Sequence, residues 1–182
     1  MKKLAKRLLG RVTSDYRINW IYAADALPDF DDQAFSIEPE TVSHRAVLRA
    51  SSTEKMRNSQ SYADVGLAGL VLTEMSRPLA VAHFAEVNQY DRTSTWPLRE
   101  GEVAVMDIAT EERERGRGLA PRLIRAAARH YLTQGRRRLI AFIWWSNSPS
   151  LRAFEKAGWR RIGCSVELRF GRRWLGFRIP VP

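Results

Sequence analysis

The sequence predicts a single mixed α/β domain: a central, mostly antiparallel sheet with helices on both faces and a C-terminal β-hairpin. Three observations predict it. Apolar stretches of strand length alternate with two segments whose apolar residues recur at helical spacing. Their order is strands, helix, strand, helix, hairpin, the order of one sheet with helices packed on it. A length of 182 residues, 45% of them hydrophobic and six of them tryptophan, suits one core, and no Pro/Gly/Ser-rich linker divides the chain.

The elements follow in order. The opening "MKKLAKRLLGRV" places Leu4, Leu8 and Val12 on one side of a short helix and Lys2, Lys3, Lys6 and Arg7 elsewhere. Such a segment can be a membrane-surface foot, but a helix this short is marginal by itself, which favours a solvated terminus. It lacks the apolar block and cleavage site of a secretory signal. "DYRINWIYAA" alternates Tyr16, Ile18, Trp20 and Tyr22 with Arg17 and Asn19, as a strand or an ordered arm does. Residues 1–35 are therefore expected to form a basic, aromatic arm, with the main domain at 36–182. "LPDFDDQAF" reads as an acidic loop, and a helix is expected near residues 51–64.

"LAGLVLTE" and "LAVAHFAEV", divided by "MSRP", read as two antiparallel strands around a turn. The polar loop from Asn88 to Glu100 is long enough to suggest a role. "EVAVMDIAT" is a third strand. Leu119/Ala120, Leu123/Ile124, Ala127/Ala128 and Tyr131 then mark a helix that Gly135 closes. "LIAFIWW" is the unbroken apolar run of a strand covered on both faces. In "SNSPSLRAFEKAGW", Ser148 is the expected N-cap, Pro149 the first helical position and Gly158 the stop. "RRIGCSVELRF" and "RWLGFRI" make the terminal hairpin.

The net charge is +10, and only Lys2, Lys3, Lys6, Lys55 and Lys156 are lysines. An arginine excess can come from genomic base composition, yet basic residues crowd positions 113–178 and would attract a phosphorylated cofactor, an acidic carrier protein or a polyanion. There is no helix-turn-helix, zinc or RNA-sheet signature, which disfavours nucleic acid. The lone Cys164 excludes a disulfide framework and a cysteine zinc site and points to a cytoplasmic setting. No apolar run reaches the roughly 18–20 residues of a membrane span.

The most particular stretch is "EERERGRGLAPRLI". Gly116 and Gly118 stand between a strand and a helix, where turn glycines let backbone N–H groups converge and the helix start adds unpaired donors, a recipe for binding phosphate. Arg113, Arg115 and Arg117 add charge. A Walker loop would need Lys-Ser/Thr after Gly118, and a dinucleotide fingerprint would need glycine at Pro121; neither is present.

Ile108, Arg113, Gly116 and Gly118, followed by Asn147, Phe154, Lys156, Gly158 and Trp159, resemble the two signatures of the GNAT superfamily of acyl-CoA-dependent N-acetyltransferases. The resemblance is specific over residues 102–163. It implies acetyl-CoA as acyl donor and no metal. It further implies that Met106, Asp107 and Ile108 splay from the neighbouring strand to pair the pantetheine arm and polarise the thioester. The N–H groups of Glu114, Arg115, Gly116, Arg117, Gly118 and Leu119 would cradle the pyrophosphate, and Asn147 would bind the arm, unless it caps the helix. Phe154 stands where many members carry the tyrosine acid, and Phe142 where some carry a glutamate base. The proton acceptor must then lie elsewhere: Glu102 and His83 are favoured over Asp107, Glu86 and Tyr90. Cys164 reads as a small buried hydrophobe.

The acceptor implied is a small-molecule or protein amine, with an acidic or phosphorylated one suited to the basic surface. Two alternatives stay open: a donor carried on an acyl carrier protein, and a catalytically inactive acyl-CoA-binding relative. A homodimer is also open.

Overall fold

A computed structural model describes residues 15–28, 35–90 and 96–181; the amphipathic reading of residues 1–12 lies outside them. Eight strands form one sheet: β1 (Asp15–Ala24), β2 (Ser36–Pro39), β3 (Ala68–Glu74), β4 (Arg77–Glu86), β5 (Glu102–Thr110), β6 (Arg138–Trp144), β7 (Arg160–Phe170) and β8 (Arg173–Pro180). Four helices accompany them among the described residues: α1 (Val42–Arg49), α2 (Glu54–Asp64), α3 (Leu119–Thr133) and α4 (Ser148–Lys156). The spatial order is β2-β3-β4-β5-β6-β1-β7-β8. Every pairing is antiparallel except β5 with β6, which α3 joins as a crossover.

The helices cover both faces because the strands alternate. Leu70, Leu72, Ala80, Ala82 and Phe84 pack with Leu123, Ile124 and Ala127 of α3 and with Phe154 of α4. The intervening Val71, Val81 and Ala109 pack with Leu48 of α1 and Met56 of α2. Fully burying each large apolar side chain contributes about 1.5–3 kcal/mol, so these layers hold the domain together.

The β3–β4 turn holds Met75 and Ser76 at φ 48° and 61°, the twist a two-residue hairpin needs, without the expected glycine. Of the two readings of "DYRINWIYAA", a strand or an ordered arm, the structure has the strand: β1 pairs with β6 through Asn19–Ala24 and with β7 through Asp15–Ala23, inside the sheet. Sequence order hides this, because a strand's neighbours are set by non-local pairing. α1 and β2 went unread for a different reason, since both are short and mostly exposed. α1 is held by a reciprocal cap in which Thr41 Oγ1 accepts from the His44 N–H and His44 Nδ1 accepts from the Thr41 N–H. The cap of α4 is Asn147 rather than Ser148, and its Oδ1 accepts from the Ser150 N–H at 3.3 Å.

Candidate active site

The site begins with one extra residue in β5. His83 of β4 pairs with Asp107, and the next residue, Phe84, pairs with Val105, so Met106 has no partner. This bulge bends β5 away from β6, whose pairing with it stops at Val105–Ala141. Past that point the backbone groups of β5 that face β6 have no strand to bond among the described residues. The gap is a cleft of about 240 Å³ lined by Met106, Asp107 and Ile108 of β5, Phe142 and Trp144 of β6, and Asn147 and Phe154 at α4. Tyr16 stacks on Trp144 at 5.7 Å, which steadies one wall.

At one end of the cleft the chain turns through Gly116 and Gly118, at φ 87° and 74°, a left-handed conformation that favours glycine. A Cβ at either position would meet nothing within 4 Å, so backbone conformation, not protein crowding, calls for glycine there. The Glu114 and Arg115 N–H groups are spent on the carbonyls of Glu111 and Glu112. Those of Gly116 to Ala120 find no acceptor among the described residues, and with the start of α3 they line a hollow of about 290 Å³.

The cations there differ from those the sequence suggested. Arg117 turns away to Glu74 and Glu114, both at 2.6 Å, which hold its charge more firmly than usual. Arg113 lines a separate groove beside α1. Arg115 does line the hollow, with Arg152 and Lys156 of α4. The last two are four residues apart on one helix face, a spacing that could have exposed Arg152 in the sequence.

Glu102 and His83 are not at the cleft. Glu102 sits at the far end of β5 with its side chain fully buried, accepting from Arg137 Nη2 at 2.8 Å, from Arg138 and from the Arg99 N–H at 3.0 Å. Burial would raise its carboxyl, but the Arg99 N–H and the two guanidiniums outweigh that and hold it below the usual range. His83 is completely buried, stacked on Tyr62 with centroids 5.9 Å apart, and its Nε2 lies 3.4 Å from Glu40 Oε2. The geometry of this contact falls short of a hydrogen bond. The Glu40 carboxyl is also shielded from solvent; burial raises it, yet its contacts with His83, Gln60 and Arg45 win and lower it. Glu86 pairs with Arg136.

Asp107 is at the cleft. The bulge turns it to the face covered by α2, where it lies 3.5 Å from Lys55 Nζ and remains partly exposed. The sequence reading ranks it below Glu102 and His83. Phe154 lines the cleft against Trp159 and Tyr22, and the Tyr22 hydroxyl is committed to Glu155 Oε1 at 2.7 Å. Phe142 stacks on Tyr90 at 5.6 Å. Cys164 is buried, and burial pushes its thiol up. No group of three or more metal-ligating side chains exists among the described residues, and no helix there is long and apolar enough to cross a membrane.

Two larger depressions lie elsewhere. One of about 620 Å³ adjoins α1 and Pro78; another of about 360 Å³ adjoins Trp159 and the end of β1. Neither contains the strand opening or the glycine turn, so chemistry rather than size singles out the site.

A splayed strand thus lies beside a glycine-turned helix start, and comparison with known proteins identifies the family. Residues 32–159 match the acetyltransferase (GNAT) family, and the chain belongs to that family. No curated protein matches it. Among solved structures, a GNAT-family protein from Novosphingobium aromaticivorans is 21% identical with a TM-score of 0.60, over 85% of this chain and 64% of that one. A GNAT-family acetyltransferase from Colwellia psychrerythraea is 14% identical with a TM-score of 0.59, over 97% and 61%. The aminoglycoside acetyltransferase AAC(6')-Iy, bound to a CoA-based bisubstrate analogue, is 17% identical with a TM-score of 0.53, over 70% and 91%. These likenesses concern the fold, and the chain spans less than two thirds of the first two structures' length.

Proposed function

We propose that this chain transfers an acetyl group from acetyl-CoA to a primary amine by direct attack, with Asp107 as the proton acceptor. The observation that carries the reading is the opening of β5 from β6 at Met106, which runs straight into the unpaired N–H groups of Gly116 to Ala120. An extended thioester arm needs strand-like partners, and a pyrophosphate needs convergent donors; the cleft has both in that order. Arg115, Arg152 and Lys156 supply the positive charge.

The amine loses its proton to Asp107 and its lone pair attacks the thioester carbon. An unpaired β5 N–H at the bulge stabilises the oxyanion. As the carbonyl re-forms, the carbon–sulfur bond breaks, and the second proton of the attacking nitrogen passes through water to the leaving thiolate, since Phe154 has none to give. Lys55 beside Asp107 suits an acceptor that carries an acidic group near its amine, whether a small molecule or a protein. The phosphate cradle favours CoA over a carrier protein, which brings no pyrophosphate. The carboxylate in the cleft favours catalysis over an inactive relative.

Calorimetry with acetyl-CoA and desulfo-CoA tests the site, beside a Gly116→Trp variant that fills the hollow. Micromolar binding that the variant loses is expected; no binding by the folded wild-type chain would overturn the proposal. In an amine screen read by thiol release, Asp107→Asn should lower kcat about 100-fold or more while binding acetyl-CoA normally. Unchanged kcat would remove Asp107 from this role.

A further inference from the structure

The edge of the sheet at β8 is unlike the rest of the fold. All eight residues from Arg173 to Pro180 are exposed, and Trp174, Leu175, Phe177 and Ile179 stand 40–52% open to solvent. The register across β1, β7 and β8 lines up three apolar rows on one face: Trp20–Cys164–Ile179, Ile18–Val166–Phe177 and Tyr16–Leu168–Leu175. Exposed edges of this kind are usually blunted by charge, proline or a covering element, because unpaired N–H and C=O groups recruit another strand.

Which backbone groups are unpaired follows from one hydrogen bond. The Val181 N–H donates to the Ile162 carbonyl at 3.3 Å, so odd-numbered residues turn their backbone toward β7. Trp174, Gly176 and Arg178 therefore turn theirs outward, and Pro180, lacking an N–H, ends the ladder.

We propose that β8 pairs antiparallel with β8 of a second copy of this chain about a two-fold axis at Gly176. That register sets Gly176 against Gly176 and Trp174 against Arg178, so every outward residue with an N–H meets another that has one. Centring on Phe177 instead would set Trp174 against Pro180. The chosen register also stacks a guanidinium near an indole, a contact that Trp174 already makes with Arg17 at 4.7 Å. Leu175 and Phe177 of one copy meet Phe177 and Leu175 of the other, and no arginine faces an arginine. A strand of another protein would need the same length, direction and apolar face, whereas a second copy has them by symmetry.

One added strand covers less than the roughly 800 Å² per partner of a standard interface, so micromolar association is expected. Two chains of net charge +10 repel, and salt should strengthen the dimer. The other face of β8 carries Arg178, which lies 5.6 Å from the Trp96 ring in the loop between β4 and β5, so the interface backs onto the segment beside the cleft.

Sedimentation equilibrium of the 182-residue chain, at low and high salt, tests the pairing. A reversible monomer–dimer equilibrium that tightens with salt is expected. Gly176→Pro removes only an outward N–H and should weaken association at least tenfold, with melting and acetyl-CoA binding unchanged. Gly176→Cys should give a disulfide-linked dimer under mild oxidation, whereas Arg173→Cys, whose copies lie about 20 Å apart in this register, should not. The cysteine pair decides the matter even if the proline variant fails to fold. A chain that stays monomeric throughout, or one that cross-links equally at both positions, would overturn the proposal.

Discussion

Replacing Glu102 with glutamine separates a structural carboxylate from a catalytic one. Glu102 is sealed from solvent and accepts from the Arg99 N–H, Arg137 and Arg138. Hydrogen bonds to charged groups contribute about 1.5–3 kcal/mol each, but glutamine keeps the shape and one acceptor oxygen, and Arg137 is more than half exposed. We therefore expect a loss of about 2 kcal/mol, which lowers Tm by about 4–8 °C in a domain of this size. The sign with pH follows from the lowered carboxyl: its contribution is full above the unfolded glutamate value and is lost as pH falls through the lower folded value. The gap between wild type and variant should thus close on the acid side, measured by thermal melts across pH. The kcat of the folded variant should match wild type. A variant that melts like wild type yet turns over 100-fold more slowly would refute this account and restore Glu102 as the base.

Three further outcomes follow from the geometry. Gly69→Ala should destabilise more than Gly118→Ala in chemical denaturation: a Cβ at Gly69 would lie 2.9 Å from the Glu40 side chain, which lies over it toward His83, whereas Gly118 faces only a left-handed backbone cost of about 1 kcal/mol. Asn147→Ala should lose about 1 kcal/mol of helix cap and also weaken acetyl-CoA binding, read by melting and calorimetry. Arg152→Ala with Lys156→Ala should weaken CoA binding about tenfold and flatten its salt dependence, whereas Arg117→Ala, whose charge is spent on Glu74 and Glu114, should leave binding nearly unchanged.

Local signals carried much of this in the sequence. The glycine turn, the α3 stripe and the terminal hairpin were readable because periodicity and turn chemistry act over a few residues. What stayed hidden depends on pairing. Nothing local says that β1 inserts between β6 and β7, or that Arg137 and Arg138, at the start of the strand parallel to β5, close over Glu102. The arginines show the same limit. Position beside Gly116 suggested Arg113 and Arg117 as phosphate cations, but nearby acids claim Arg117 and the chain path carries Arg113 elsewhere, while Arg152 arrives from 34 residues beyond Gly118.

Asp107 shows how a single backbone irregularity can relocate chemistry. Val105 and Ile108 both pack toward α3 and α4, which regular alternation would forbid for residues three apart. In an unbulged β5, Asp107 would share the face of Val105 and point into that apolar layer, where an unpaired carboxylate is costly. The extra residue at Met106 puts Asp107 on the α2 side instead, beside Lys55 and at the cleft. The same residue ends the pairing with β6 and so exposes the backbone groups a thioester would need. A chain with phenylalanine at positions 142 and 154 thereby keeps a carboxylate next to the strand opening, placed by the bulge that makes the opening.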